Sequence, residues 1–401
     1  MRATGVRRRV ASSALTWVLV LGVVRITVLL PENCPPVDSA TIRAAVDEAV
    51  AWFDRNQAPD GTWLYRYDRG TDEVGPGYNT VRHAGVTMSL YQAARAGIPG
   101  ALDIADRGTA YAVDNLVRHE GWAAFEPSSS RVTSGAAALL VAGLVERRTL
   151  TGDERHDELL ADLSEFLVSL VEDDGAVLAS WDREREAPDT GVYSPFFTGE
   201  VLWALALMDQ EFPHGGWGAP ARRIGHYLAT ERDDAEGYWP DVPDHWAAYG
   251  FAVLASSAGP DSDPLSDPEM EYLRRQAGFG GVQARYESQR VDTTPRWWLR
   301  GRRTLGAGLG TVGEQLGGLW VVSSADSRLS DLAPALADRS ECVAGMLVDR
   351  QVDGDEAAGF GAPAAVRGAW FQFDVTQMDD QQHAMSALLL TLAMLDEGGG
   401  R

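Results

Sequence analysis

A chain of 401 residues with 45% hydrophobic and 9% aromatic side chains has material for a large core, and no stretch has the composition of a long disordered tail. Its 58 acidic against 35 basic residues give a formal net charge of −23, a field that repels polyphosphate and excludes nucleic acid as an expected partner. Length alone leaves one or two domains open, because a closed ring of helical hairpins commonly reaches this size as one unit.

Arg2, Arg7, Arg8 and Arg9 precede an apolar run from Val10 to Leu30 broken only by Arg25. The pattern predicts a basic flank over 1–9, a signal anchor over 10–30 and a linker over 31–38. The span suffices for one bilayer crossing, with the arginines inside and the body outside the cytoplasm. The expected location is therefore the cell membrane, single-pass. Two alternatives stand: a cleaved signal, for which no small-residue cleavage site precedes Pro31, and a start without any targeting role. Cys34 follows no lipobox. Cys34 and Cys342 are the only cysteines, and they either form one bridge in an oxidising compartment or remain two thiols.

From Ser39 onward the chain reads as pairs of helices. Residues 39–57 carry Ile42, Val46, Val50 and Phe53 at helical spacing, with Asp38 or Ser39 as N-cap. A loop over 58–79, including the QAPDGTW turn of Gln57–Trp63, leads into a nearly uncharged helix ending at Arg95. Residues 101–118 give the next amphipathic helix, a loop HEGWAAFEPSSSR follows, and AAALLVAGLVE is the apolar partner. The third pair is 158–172 with 196–208, where Glu200 is the lone charge; the fourth is 218–232 with 244–256. The fifth is 266–286 with 303–324, glycine-rich and so dependent on burial, and the sixth is 329–351 with 379–397.

Each pair couples one amphipathic helix to one nearly uniformly apolar helix, the pattern of inner helices covered by an outer ring. The expectation is an all-α fold, an (α/α)6 toroid of six helical hairpins over 39–397. The long aromatic loops all join outer to inner helices, so they share the face where the inner helices begin with their positive dipole ends. That face should carry any site.

The Q-x-x-D-G-x-W turn resembles that of terpene cyclases and prenyltransferase β-subunits, where it staples outer helices. The acidic signatures of isoprenoid chemistry and the zinc set of prenyltransferases are missing, as is the cysteine pair of lanthionine cyclases. The inner-helix openings YNTVRHAG, YSPFFTGEVLWAL, DHWAAYGFAVL and DDQQHAMSALL look more like those of six-hairpin glycosidases and epimerases and of bacterial proteins of that kind. That resemblance implies a toroid acting on carbohydrate by hydrolysis, elimination or epimerisation. The alternatives are a toroid that binds glycan or protein without turnover and an isoprenoid-handling enzyme.

If the ring closes, His83, His245 and His383 near inner-helix starts should converge, joined by Asp244, Asp380 and Glu200 as acids and bases. A desolvated carboxyl can keep its proton while a solvated one stays ionised, and such a pair cleaves glycosidic bonds. Tyr67, Tyr78, Asn79, Arg82, Trp122, Tyr193, Trp239 and Phe373 are the expected substrate-binding residues, the aromatic ones as stacking platforms. The competing account makes the acids helix N-caps, has the histidines satisfy loop carbonyls, and packs the aromatics into the core. Arg296, Arg300, Arg302 and Arg303 with Trp297 and Trp298 form a basic aromatic loop suited to an acidic sugar or to solvent. H-x-x-x-H spacing is absent, and neither a metal nor a cofactor is expected.

Overall fold

The computed structural model describes residues 2–27, 29–238, 242–257, 265–290 and 306–398, without the side chains at 2–10, 26–27, 306 and 398. Trp239 and the basic aromatic loop around Arg296–Arg303 lie outside the described residues.

Among the described residues twelve helices of three or more turns follow the linker, and they alternate as the apolar patterning requires. The outer members are α2 (Ser39–Arg55), α4 (Ala101–Asp114), α6 (Asp157–Val168), α8 (Gly218–Thr230), α10 (Asp267–Ser288) and α12 (Ala333–Arg350). The inner members are α3 (Thr80–Arg95), α5 (Ser134–Thr151), α7 (Phe197–Glu211), α9 (His245–Ser256), α11 (Gly306–Ala325) and α13 (Met378–Gly398). Each inner helix packs on the next, and α13 returns to α3, so the ring is closed. The chain is an (α/α)6 toroid.

Three glycine turns pin this ring. After α2, Gly61 sits at φ +92°, and a Cβ there would fall 2.3 Å from the Arg107 carbonyl of α4. Gly175, after α6, repeats the contact at φ +100° and 2.4 Å from the Arg223 carbonyl of α8. Gly368, after α12, does so at φ +81° and 2.5 Å from the Glu48 carbonyl of α2, which completes the circle. Only glycine combines that backbone with that approach. Within Gln57–Trp63, Gln57 Nε2 donates to the Ile104 carbonyl at 3.1 Å and its Oε1 accepts from Arg107 Nε at 2.6 Å. The motif is a staple between outer helices.

The glycines of α11 serve the inner ring. Added Cβ atoms at Gly310 and Gly313 would meet His383 backbone at 2.4 Å and Ala387 Cβ at 2.6 Å, so α11 lies against α13 closer than any side chain would allow. Burial there compensates for glycine's poor helix propensity.

Short strands occupy loops expected to be irregular. Arg66–Asp68 pairs antiparallel with Val375–Gln377, joining the first hairpin to the last. Leu116–His119, expected to continue a helix to residue 118, instead pairs with Trp122–Phe125. Asn115 ends α4, and Gly121 at φ +83° supplies the tight turn.

At the N-terminus α1 (Arg2–Thr27) leaves Leu15, Trp17, Val18, Leu19 and Leu21 exposed. Among the described residues no helix is long and apolar enough to cross a membrane, so the anchor expected over 10–30 gains no support from the structure. Cys34 and Cys342 are joined in a disulfide with Cα atoms 4.6 Å apart across a separation of 308 residues. This ties the linker to α12, where Gly345 lets Pro35 run close. Breaking it with Cys342→Ser is expected to cost about 2–5 kcal/mol, read as a lower urea midpoint; an unchanged midpoint would show the tie to be idle.

Candidate active site

The inner helices open toward one face, and a cavity of about 580 Å³ lies there between α3, α7, α9, α11 and α13. Its lining includes Asn79, Arg82, Phe196, Glu200, His245, Trp246, Asp379 and His383.

At its floor two histidines meet one carboxylate. The His245 and His383 rings lie 5.1 Å apart at 79°, nearly edge to face. Glu314 of α11 is fully buried, and its Oε2 is 2.6 Å from His383 Nδ1 and 3.9 Å from His245 Nε2. Oε1 accepts from Tyr249 Oη at 3.2 Å and from Gln382 Nε2 at 3.4 Å. The short contact requires His383 to carry a proton on Nδ1, since an ionised carboxylate only accepts. Burial is the largest influence and lowers the His383 pKa, but the Glu314 charge, its hydrogen bond and the charges of Asp379 and Asp380 together outweigh it and hold the imidazole above 6.5. His245 moves the opposite way, well below 6.5, because it is buried and faces the charge on His383. Burial raises Glu314 itself, and His383 pulls it back.

Glu200, in the first turn of α7, is held well above its ordinary range by burial and by Asp244 nearby. A Cβ at residue 135 would come within 2.3 Å of Glu200 Oε2, so Gly135 makes room for this carboxyl. Among the described residues, four buried polar atoms of cavity-lining side chains make no hydrogen bond within the protein: Glu200 Oε2, His245 Nε2, Gln283 Oε1 and Asp379 Oδ1. Buried polar atoms are normally satisfied, so four orphans on one wall describe a complement to a polar ligand. Arg82 stands beside them, with Nε 3.0 Å from Asp379 Oδ2 and Nη1 2.8 Å from Tyr65 Oη.

Several expected site residues belong to the frame instead. His83 is fully buried and turned outward: Nδ1 accepts from Tyr78 Oη at 2.7 Å and Nε2 donates to the Gly108 carbonyl of α4 at 2.9 Å. Trp63, Tyr111 and Phe125 surround its ring, and burial lowers its pKa to about 4. The convergence of three histidines is thus corrected to two. His83→Ala would leave the Tyr78 hydroxyl proton without its acceptor, take the ring donor from the Gly108 carbonyl and open a cavity, at a cost of about 2–5 kcal/mol, with turnover per folded molecule unchanged; lost turnover in a folded variant would contradict this placement.

Asp244 is also structural, an N-cap accepting from Ala247 N at 2.9 Å and from the buried Arg232 at 2.6 Å. Asp380 caps from behind the wall, accepting from Gln377 N at 2.8 Å and Ala307 N at 3.3 Å, with its pKa raised to about 7 by burial and by Asp379. Tyr67 donates to Asp72 at 2.6 Å and Tyr193 to Glu172 at 2.7 Å, while Trp122 packs on Phe166 and Trp181. Phe373 is 65% exposed and away from the cavity. Asn79 caps α3 through Arg82 N and lines the cavity.

Sequence reasoning missed Glu314, although its signal matches that of Glu200: a lone acid in an otherwise apolar inner helix. It also missed Phe196, a half-exposed ring on the cavity rim. The ligand atoms of His245, Glu314 and His383 lie within 4.8 Å of one another, a set able to hold a divalent cation. The same atoms already bond Glu314 to His383.

No family model matches the chain, and no curated protein matches it. Solved structures do. The cellobiose 2-epimerase from Spirochaeta thermophila DSM 6192 aligns at TM-score 0.61 and 15% identity, covering 89% of this chain and 98% of that one. The GH76A alpha-1,6-mannanase from Salegentibacter sp. HEL1_6 aligns at 0.58 and 12%, covering 89% and 100%. A D-mannose isomerase aligns at 0.55 and 12%, covering 89% and 98%. At such identities these neighbours establish the six-hairpin toroid, shared with glycosidase-like and epimerase-like proteins.

Proposed function

We propose that the protein is a carbohydrate-active enzyme that moves a proton at a sugar carbon next to a carbonyl, as in epimerisation or isomerisation of a reducing sugar. The observation that carries this reading is the His245–Glu314–His383 cluster, two adjacent imidazoles shifted in opposite directions, His245 down through burial and the charge on His383, and His383 up beside the buried Glu314 carboxylate. Opposed shifts mark an acid and a base. His245, neutral, takes the proton from carbon while His383, charged and anchored through Nδ1, supplies one to the carbonyl oxygen, giving an enediol; return of the carbon proton to the former carbonyl carbon with loss of the other hydroxyl's proton gives the ketose, and its return to the opposite face of the original carbon, with His383 taking back the oxygen's proton, gives the epimer. The orphaned wall atoms are mostly acceptors, which suits a ligand rich in hydroxyl donors. They disfavour the isoprenoid alternative, which calls for a greasy cavity. The neighbours' names, an epimerase, an isomerase and a mannanase, agree with a sugar.

Because one histidine is shifted below 6.5 and the other above it, the plateau of turnover should extend on both sides of pH 6.5. Turnover that rises only above that pH would mean His245 is not the base.

Glu200 and Asp379 on the same wall favour a second reading, hydrolysis between two carboxyls. Incubating the protein with reducing monosaccharides and cellobiose, and separately with polysaccharides, discriminates. A new epimer or ketose without new reducing ends supports proton transfer; new reducing ends alone move the assignment to hydrolysis. Sugar bound with neither outcome leaves a binding toroid.

Membrane anchoring and an extracytoplasmic body are part of the proposal. For the anchor the support is in the sequence, the basic flank followed by the apolar run; for the compartment it is the disulfide, which suits an oxidising one. Retention in the membrane pellet after alkaline carbonate washing tests it, and release would refute the anchor.

A further inference from the structure

The face of the ring that carries the cavity is also where the N-terminal segment is fastened. The Leu30 carbonyl accepts from Gln289 Nε2 at 2.9 Å, and Asn33 N donates to the Ser288 carbonyl at 2.9 Å. Glu32 lies between Arg285 of α10, at 3.3 Å, and Arg339 of α12, and Cys34 is bonded to Cys342. Outer helices end at the front, so Ser288, the last residue of α10, is a front residue. Gln283, six residues before Gln289, lines the cavity, which places Leu30 beside the mouth. α1 ends at Thr27, and the three residues from there to Leu30 reach at most about 10 Å. So short a stretch leaves the body no slack to turn its front away from whatever holds α1.

Exposed apolar side chains gather on the same face. From Leu29 onward the described residues include seven exposed large hydrophobic side chains, and only Leu150, in the last turn of α5, belongs to the rear. Val74, Val192, Phe196 and Phe373 stand on the front loops of the first, third and sixth hairpins, and Val282 adjoins Gln283 on α10. Single exposed apolar residues are ordinary, but here their placement is one-sided. Phe373 carries the argument furthest. With Asp374 it forms the two-residue loop of a hairpin closed by Gln372 and Val375, whose backbone groups bond each other at 2.8 and 3.1 Å. Its φ of +57° suits glycine or asparagine, and a bulky side chain there is strained. The ring gains no burial in return, being 65% exposed. Strain kept for the sake of an exposed ring implies a partner that covers it.

We propose that the front face rests on a lipid bilayer, with Phe373, Val74 and Val192 dipping into its interface around the cavity mouth and α1 entering it from the fastened strap. The third and sixth hairpins face each other across the ring, so a flat surface meets both loops where a peptide would meet one. The strap sets the distance from the membrane, and the loop side chains set the tilt. This orientation rests on the membrane reading of the N-terminal segment. A mouth so turned admits a short sugar arriving along the surface more readily than a strand of polysaccharide, which agrees with action on a reducing sugar.

The test uses the full chain reconstituted in phosphatidylcholine vesicles, since a protein of net charge −23 is repelled by anionic lipid. Cys34 and Cys342 are paired, so a fluorophore can be attached to single cysteines introduced as Val74→Cys, Phe373→Cys and Leu150→Cys. All three positions are exposed, and either front variant suffices if the other fails to fold. Lipid bearing a nitroxide on its headgroup is expected to remove about half or more of the emission at the front positions and to leave the Leu150→Cys label nearly unchanged. Protein that floats with the vesicles while its front labels stay as bright as the rear one would overturn the orientation and leave the anchor standing. Cross-linking of Phe373→Cys between chains in that case would give the face to a second copy. Protein that does not float with the vesicles would sink the anchor reading and this orientation with it.

Discussion

His383→Asn is expected to reduce turnover by about 10³ while leaving the fold and the apparent affinity for sugar nearly intact. The imidazole ring is 12% exposed by its side chain and lines the cavity, yet its Nδ1 is committed to Glu314. Only Nε2 remains to serve the substrate. Asparagine can still donate to Glu314, so that carboxylate does not become a buried charge without a partner, and the loss falls on the group that transfers the proton. Steady-state kinetics on any sugar turned over by the wild type measures it. A variant within a few fold of wild type would remove His383 from the chemistry.

Glu314→Gln should produce the next largest loss, about 10² in turnover, by a different route. The side chain keeps its volume and can still accept from Tyr249, but the charge that lifts His383 is gone. Burial, the largest influence on His383, is then opposed only by the lesser effects of Asp379 and Asp380, and its pKa should fall from above 6.5 to below it. At neutral pH the acid of the pair would be mostly unprotonated. An NMR titration of the His383 ring reads this directly, and a midpoint that does not fall would separate Glu314 from the charge state of His383.

The architecture was legible in the sequence because alternating amphipathic and apolar helices have no other way to bury both kinds of face. Gly61 with Trp63 even located a staple between outer helices. The site was only partly legible, since a residue near a helix start can point in more than one direction. His83 and His245 look alike in sequence, but Tyr78 and the Gly108 carbonyl turn one outward while the close packing of α9, α11 and α13 turns the other inward. Asp244 and Asp380 have the chemistry of catalysts, but one is an N-cap and the other, in the first turn of α13, accepts from Gln377 N and Ala307 N, so the backbone claimed both. Glu314 was hidden among glycines whose purpose, bringing α11 against α13, exists only in the assembled ring. The loop aromatics Tyr67, Trp122 and Tyr193 proved to be loop packing because each found a partner within its own or the adjoining hairpin.

The most direct test of a proton-transferring sugar site is exchange into deuterium oxide. Mannose and cellobiose are incubated with the protein in D2O, and the proton on the carbon beside the aldehyde is followed by NMR. Wild type should wash that proton out, while His245→Asn and His383→Asn leave it in place. Binding of the sugar with no exchange by the wild type, or equal exchange by wild type and His383→Asn, would contradict the account.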